Sequence, residues 1–415
     1  MLQGGPAHQG DASGAVQPPL KRVWRAIPGG AAWMAGVVVA PGLAVGVART
    51  HLVGLDPSTG DVLWTVDRAR GPLAGAAIDP TVGPNGIVVF TEGNGPEKSA
   101  VVGLDPSTRR RLWSVPLGDL ARGSPTIDGG KVFVGSRDAF VYAVDVVTGT
   151  LAWRSRTTGG VNATPAVAGG RVFVVSEGET SAEVRLAALD VSTGRSRWSY
   201  QQPRVALAPA AATVSDGIVA VGFGDLTVRA FDASSGRLLW TRQGRGPFNY
   251  PTALASVRGS VYVLDDVGGV YRLDAETGHR IWDYQFPANV TWSSPVIADR
   301  YVYVGMDDGT VAAIDDRSGH LVWQSRLGGR VGAIAPAGDL LLAPVASGGG
   351  GLVAFAHDPN GILIDRHSPT ELHLPVALAN FGIAFLFMAA LILGLFRFVL
   401  RPRSAASRGS KAVRP

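Results

Sequence analysis

Near the C-terminal end His357, His367 and His373 alternate with Asp358, Asp365 and Glu371, groups that could together hold a divalent metal. Their spacing matches no compact ligand motif, so residues 357–373 read as a solvated polar connector. The chain has no cysteine, which removes disulfides, thiolate nucleophiles, iron–sulfur clusters and cysteine-based zinc sites. No Walker loop, GxSxG elbow or HExxH helix is present either. The spacing that does recur is of another kind. An Asp is followed four positions later by Gly and eight positions later by Trp: Asp56, Gly60 and Trp64; Asp145, Gly149 and Trp153; Asp190, Gly194 and Trp198; Asp232, Gly236 and Trp240; Asp274, Gly278 and Trp282; Asp315, Gly319 and Trp323. Another copy, Asp105 to Trp113, has Arg109 at the glycine position. The local chemistry of this trio is turn chemistry. The carboxylate can accept backbone N–H groups inside a turn, the glycine permits a positive φ, and the indole offers a large flat surface.

The elements that must carry these residues follow from the period. Successive anchor aspartates stand 49, 40, 45, 42, 42 and 41 residues apart, the spacing of propeller blades in a β-rich chain. Within residues 292–323, two apolar runs, an Asp-Asp-Gly hairpin, a third run, an Arg-Ser-Gly turn and a last run ending near Trp323 give four strands, one blade. The Asp and Gly then close the turn between third and fourth strands. The Trp lies on the fourth, at the blade edge, where its ring can cover the neighbouring sheet.

The two ends complement each other. Lys21-Arg-Val-Trp-Arg-Ala-Ile reads as a fourth strand standing alone, with Trp24 in the indole position. Residues 331–355 supply a final set of three strands, in which Ala356, Asn360 and Ile364 take the Asp, Gly and Trp places. An all-β, eight-bladed propeller closed by the N-terminal outer strand is therefore expected, which leaves no unpaired closing edge. A competing closure would use Ile362-Leu-Ile as the last outer strand. The expected organisation is a flexible leader over 1–20, the propeller over 21–356, the connector over 357–373, a transmembrane helix over 374–396 and a basic tail over 397–415.

Residues 374–396 carry no charge, and 23 residues at about 1.5 Å each suffice to cross a bilayer as a helix. Six Lys or Arg follow: Arg397, Arg401, Arg403, Arg408, Lys411 and Arg414. Their position predicts a single-pass membrane protein with a cytoplasmic tail and an extracytoplasmic propeller. Subtracting their +6 from the total of +5 leaves −1 for residues 1–396, so nucleic acid is not an expected partner. No export signal of the ordinary kind precedes Trp24. Export is expected to rely on a leader upstream of Met1 or on the C-terminal helix itself.

The repeats Val141-Tyr-Ala-Val-Asp-Val-Val-Thr-Gly-Thr-Leu-Ala-Trp153 and Val270-Tyr-Arg-Leu-Asp-Ala-Glu-Thr-Gly-His-Arg-Ile-Trp282 closely resemble the tryptophan-docking repeat of pyrroloquinoline-quinone (PQQ) type β-propellers. The resemblance covers about residues 20–365. That family contains quinoprotein alcohol dehydrogenases and also cofactor-free members, among them the scaffold lipoprotein of outer-membrane protein assembly and propeller ectodomains of bacterial kinases, so membership alone does not fix activity. The enzymes bring a disulfide of adjacent cysteines, a calcium ion held by Glu and Asn, and a catalytic Asp. This chain cannot form the disulfide. Glu177, Asn162, Asn249 and Asp266 are the residues that could be nominated for metal or base roles, with loop and turn roles as the alternative. It also lacks the lipidated N-terminal cysteine of the assembly scaffold.

Three positions before the Pro that opens several first strands stand Arg122, Asn162, Ala206, Phe248 and Trp292. They vary between blades where the repeat residues do not. With Tyr250 they mix Arg and aromatic groups of the kind enriched at interfaces, and they mark either a binding face or free loop variation. The expected protein is a membrane-tethered, non-catalytic scaffold or recognition module with a protein partner in the cell envelope and no cofactor. A PQQ- and calcium-dependent dehydrogenase, and a sensor or cell-wall glycan binder, are the alternatives.

Overall fold

Runs such as Lys131-Val-Phe-Val-Gly-Ser, bounded by Gly-Gly and Arg-Asp turns, are buried from Val132 to Ser136 and pair with their neighbours into sheets. In the computed structural model the described residues are 11–12, 16–27, 34–48, 51–67, 73–79, 86–177, 183–202, 211–244, 251–289, 294–346, 350–364 and 366. The chain divides into two units, Met1–Ser368 and Pro369–Pro415, and all described residues belong to the first.

The strands form eight sheets of four consecutive strands each, apart from one at the closure and one enlarged sheet. Blade three is representative: Thr126–Asp128, Lys131–Ser136, Phe140–Asp145 and Leu151–Arg156 run antiparallel in chain order. The expected closure holds. Leu20–Ala26 pairs antiparallel with Leu352–His357, placing Trp24 opposite Ala354, and so completes the sheet of Ala335–Ala337 and Leu340–Pro344. All eight fourth strands carry a one-residue bulge immediately before the Trp, at Val23, Leu63, Leu112, Ala152, Arg197, Leu239, Ile281 and Val322. A bulge re-aims the side chain that follows it. Here it turns each indole toward the next blade.

Apolar burial lies between the blades. Eight clusters each draw on two sheets consecutive around the ring. The last of them joins Val37, Ala44 and Leu55 of blade one to Ala335, Leu342 and Ala354 of blade eight, and a parallel bridge links Gly36 to Ala333. The ring is thus shut by the same kind of packing that joins its other blades.

The structure departs from the sequence expectation at both ends of the ring. The end of the leader is packed: Val16 is buried, and its carbonyl accepts a 2.8 Å hydrogen bond from the Tyr303 hydroxyl. Asp11–Ala12 pairs in parallel with Val296–Ala298 on the first-strand edge of blade seven. The connector is also engaged. The Ile364 N–H bonds the Val322 carbonyl at 2.9 Å, and Leu321 and Arg366 exchange N–H···O bonds of 3.0 and 3.1 Å. The segment that the competing closure would place in blade eight therefore lies on the outer edge of blade seven. Blade seven takes an added segment on each edge, which a one-blade periodicity cannot signal. Among the described residues no helix is long and apolar enough to cross a membrane; the expected span 374–396, the tail 397–415 and Asp365, His367, Glu371 and His373 lie outside them.

Candidate interaction surface

At the turn between third and fourth strands of blade three, Asp145 Oδ1 accepts the N–H groups of Val147 and Thr148, at 3.0 and 2.8 Å, and the Thr148 hydroxyl at 2.9 Å. Gly149 N–H closes on the Asp145 carbonyl at 2.9 Å with φ +72°. The same arrangement recurs at Asp56, Asp105, Asp190, Asp232, Asp274 and Asp315. These bonds favour the charged form. The Ser107 hydroxyl foremost holds the Asp105 carboxyl down at about 2, and Ser192 and Ser234 depress Asp190 and Asp232 further. Arg109 occupies the glycine position with φ +61°, a left-handed conformation that costs a side chain about 1–2 kcal/mol.

Six of these turns receive the indole of the preceding blade. The Nε1–H groups of Trp24, Trp113, Trp153, Trp198, Trp240 and Trp282 donate to the carbonyls of Pro57, Val146, Val191, Ala233, Ala275 and Asp316, at 2.6–3.2 Å. The acceptor is always the residue after the next blade's anchor Asp. Blade eight has Ala356 at that anchor, and Trp323 donates instead to the Leu20 carbonyl of the closing strand at 2.9 Å. Trp64 is buried against Gly54, which pairs opposite it. The anchor aspartates and the seven bonded indoles have their hydrogen-bonding capacity committed to architecture.

The proposed face can be placed in part. Arg122 is exposed on the loop entering blade three. That loop is tied down by Arg137 N–H on the Leu120 carbonyl at 2.9 Å and by the Ser136 hydroxyl on the Asp119 carbonyl at 3.0 Å. Asn162 sits in the next loop, half-buried, with its Nδ2 on Glu177 Oε1 at 2.7 Å and its Oδ1 unpaired. The two loops meet where Gly123 lies against Ala163 and Thr164; a Cβ there would come within 2.6 Å of the Thr164 nitrogen. Phe248, Tyr250, Trp292 and Asn249 lie outside the described residues. Glu177 and Asn162, nominated for calcium, bond each other and pin a loop through Thr158 on the Glu177 carbonyl at 3.0 Å. Among the described residues no three His, Asp or Glu side chains are grouped as metal ligands. With no adjacent cysteines to meet a quinone, these residues do not fit the site of the dehydrogenases, and no catalytic step follows from them.

A feature missed in the sequence lies on the rim. Two positions before the Trp stand Val62, Leu151, Leu238 and Leu321 in blades one, three, five and seven. The first three are 47, 43 and 41% exposed, whereas Leu321, bonded through its backbone to Arg366, is 2% exposed. Aliphatic residues at the start of an edge strand were the available signal.

The model of a family described as outer membrane protein assembly factor BamB (PQQ_2) matches residues 14–114, 97–250 and 227–368. The chain is 31% identical over 192 residues to the serine/threonine-protein kinase AfsK of Streptomyces griseus, covering 43% of this chain and 23% of the kinase. It is 26% identical over 279 residues to the outer membrane protein assembly factor BamB of Shewanella oneidensis, covering 66% of this chain and 59% of that protein. The crystal structure of BamB from Moraxella catarrhalis superposes with a TM-score of 0.64 at 20% identity, covering 81% of this chain and 99% of that one, a likeness of fold. The chain spans less than two thirds of the length of these curated relatives.

Proposed function

The chain belongs to the PQQ_2 family of BamB-like propellers, and we propose that it is a non-catalytic scaffold or recognition module that binds a protein partner in the cell envelope. The observation that carries this reading is the use made of the repeated residues. The anchor aspartates fold their own turns and the indoles bridge blades, so the groups present in every repeat are spent on holding the ring. What varies between blades is the loop set containing Arg122 and Asn162 and the outer rim, which suits protein recognition. The family match across residues 14–368 supports the same reading.

The finer part of the proposal is a single-pass membrane anchor over 374–396, with the tail over 397–415 in the cytoplasm and the propeller outside. It rests on the uncharged stretch and the six basic residues after it. The candidate face is Arg122, Asn162, Phe248, Tyr250 and Trp292. Affinity capture from cross-linked membranes, comparing the wild type with a Phe248→Ala/Trp292→Ala variant, tests this face. Retention of the same partner by the variant removes it. Protease access on intact cells with tags at both ends tests the topology, and a protected propeller overturns it.

A further inference from the structure

At the outer rim the bulge residue before the Trp of one blade and the residue two before the Trp of the next hold equivalent positions around the ring. In the groove between blades six and seven these are Ile281 and Leu321. There Leu321 is covered, at 2% exposed, while Ile281 stays 48% exposed. Ile364 packs against the cluster beneath it, and Arg366 and Ile364 add to the edge of Leu321–Arg326 by backbone hydrogen bonds.

The groove between blades two and three has the same construction and differs at Leu151, which nothing among the described residues covers. Its counterparts are Leu112 and Leu151, 53 and 43% exposed, with Val147 on the adjoining turn 56% exposed. The blades also approach in the same way. A Cβ at Gly149 would fall 2.5 Å from both Cβ and Cγ of Trp113, and one at Gly319 would fall 2.8 Å from the same two atoms of Trp282. At Gly60, Gly194, Gly236 and Gly278 the nearest atoms belong to the six-membered ring, Cε3 or Cδ2. Among the described residues no chain lies on the outer edge of Leu151–Arg156. The backbone groups of Leu151, equivalent to those that Leu321 gives to Arg366, therefore face outward on an edge strand able to accept another.

Charge distinguishes the occupant from the chain's own segment. Arg109 and Arg110 are exposed on the blade-two turn, three and two residues before Leu112 in the chain. The nearest repeat carboxylates, Asp105 and Asp145, are spent on their own turns.

We infer that the groove between blades two and three is a docking site for an extended aliphatic segment of a partner protein flanked by carboxylates, added antiparallel to the strand Leu151–Arg156 as Ile364 and Arg366 are added to blade seven. The inference rests on the scaffold reading and supplies its partner chemistry. Three parts of the site act together: the backbone of Leu151 sets register, Leu112, Val147 and Leu151 take the aliphatic side chains, and Arg109 and Arg110 take the acid.

The test uses the full chain in detergent and a fluorescent peptide, Asp-Gly-Ile-Leu-Ile-Asp-Glu, whose centre copies residues 361–364. Binding is read by anisotropy for the wild type, Leu112→Glu/Leu151→Glu and Leu238→Glu. All three changed positions are exposed, and equal unfolding midpoints verify the fold. Saturable binding is expected, weakened about tenfold or more in the double variant and unchanged in Leu238→Glu. Absence of saturable binding overturns the inference, as does equal affinity in the double variant or an equal loss in Leu238→Glu. Each of these outcomes removes the groove and leaves the scaffold reading in place. Quinone-dependent turnover would remove that reading without altering the peptide result.

Discussion

Replacing Trp323 probes the closure of the ring. Its side chain is 6% exposed, its ring meets Phe355 edge-on at 5.3 Å, and its N–H holds the Leu20 carbonyl at 2.9 Å. Burying an indole removes roughly 150–250 Å² from water. At about 25 cal/mol per Å², that stabilises the fold by roughly 4–6 kcal/mol, reduced by about 10–40% because the unfolded chain already covers part of it. Trp323→Ala should therefore cost about 3–5 kcal/mol. Trp323→Phe keeps most of the apolar body but leaves the Leu20 carbonyl without its donor, a loss of about 1–2 kcal/mol. Urea unfolding gives both differences, and native-state hydrogen exchange locates them. Amides of Leu20–Ala26 should lose protection in Trp323→Ala before those of blade three. A destabilisation below about 1 kcal/mol for Trp323→Ala, or unchanged protection of Leu20–Ala26, would refute the idea that this indole pins the closing strand.

Other changes test separate links. Arg109→Gly relieves a left-handed backbone at the one anchor turn that lacks glycine and should stabilise by about 1 kcal/mol, read as a raised unfolding midpoint. Asp105 has its folded pKa depressed to about 2, so its contribution is complete above the unfolded value of about 3.9 and is lost as pH falls toward 2; Asp105→Asn should flatten the acid limb of stability between those values. Ile364→Asp places a carboxylate against the blade six and seven cluster and should cost about 1–2 kcal/mol, with faster amide exchange at Leu321 as the readout.

The fold was legible because its signal is repeated. An Asp, a Gly and a Trp at fixed offsets report the same turn and the same inter-blade contact each time, and Trp24 standing alone at the start pointed to the closing strand. Interactions made once were hidden. Val16 under Tyr303 and Ile364 on Val322 depend on which blade edge is nearest in space, and short apolar runs near the ends carry no such address. Arg109 shows a further limit: the turn tolerates a side chain where the pattern asks for glycine, because its hydrogen bonds come from Asp105, Ser107 and Thr108. In the candidate face, the loop positions of Arg122 and Asn162 could be read from their distance to a Pro. The bond between Asn162 and Glu177 could not, since it joins a loop to the end of a strand 15 residues later.

The most direct measurement is dye reduction by the purified full chain supplied with PQQ and Ca²⁺, across alcohols and sugars. A non-catalytic scaffold predicts a rate equal to that of the protein-free mixture at every substrate concentration. Saturable reduction that depends on both added PQQ and protein would contradict it.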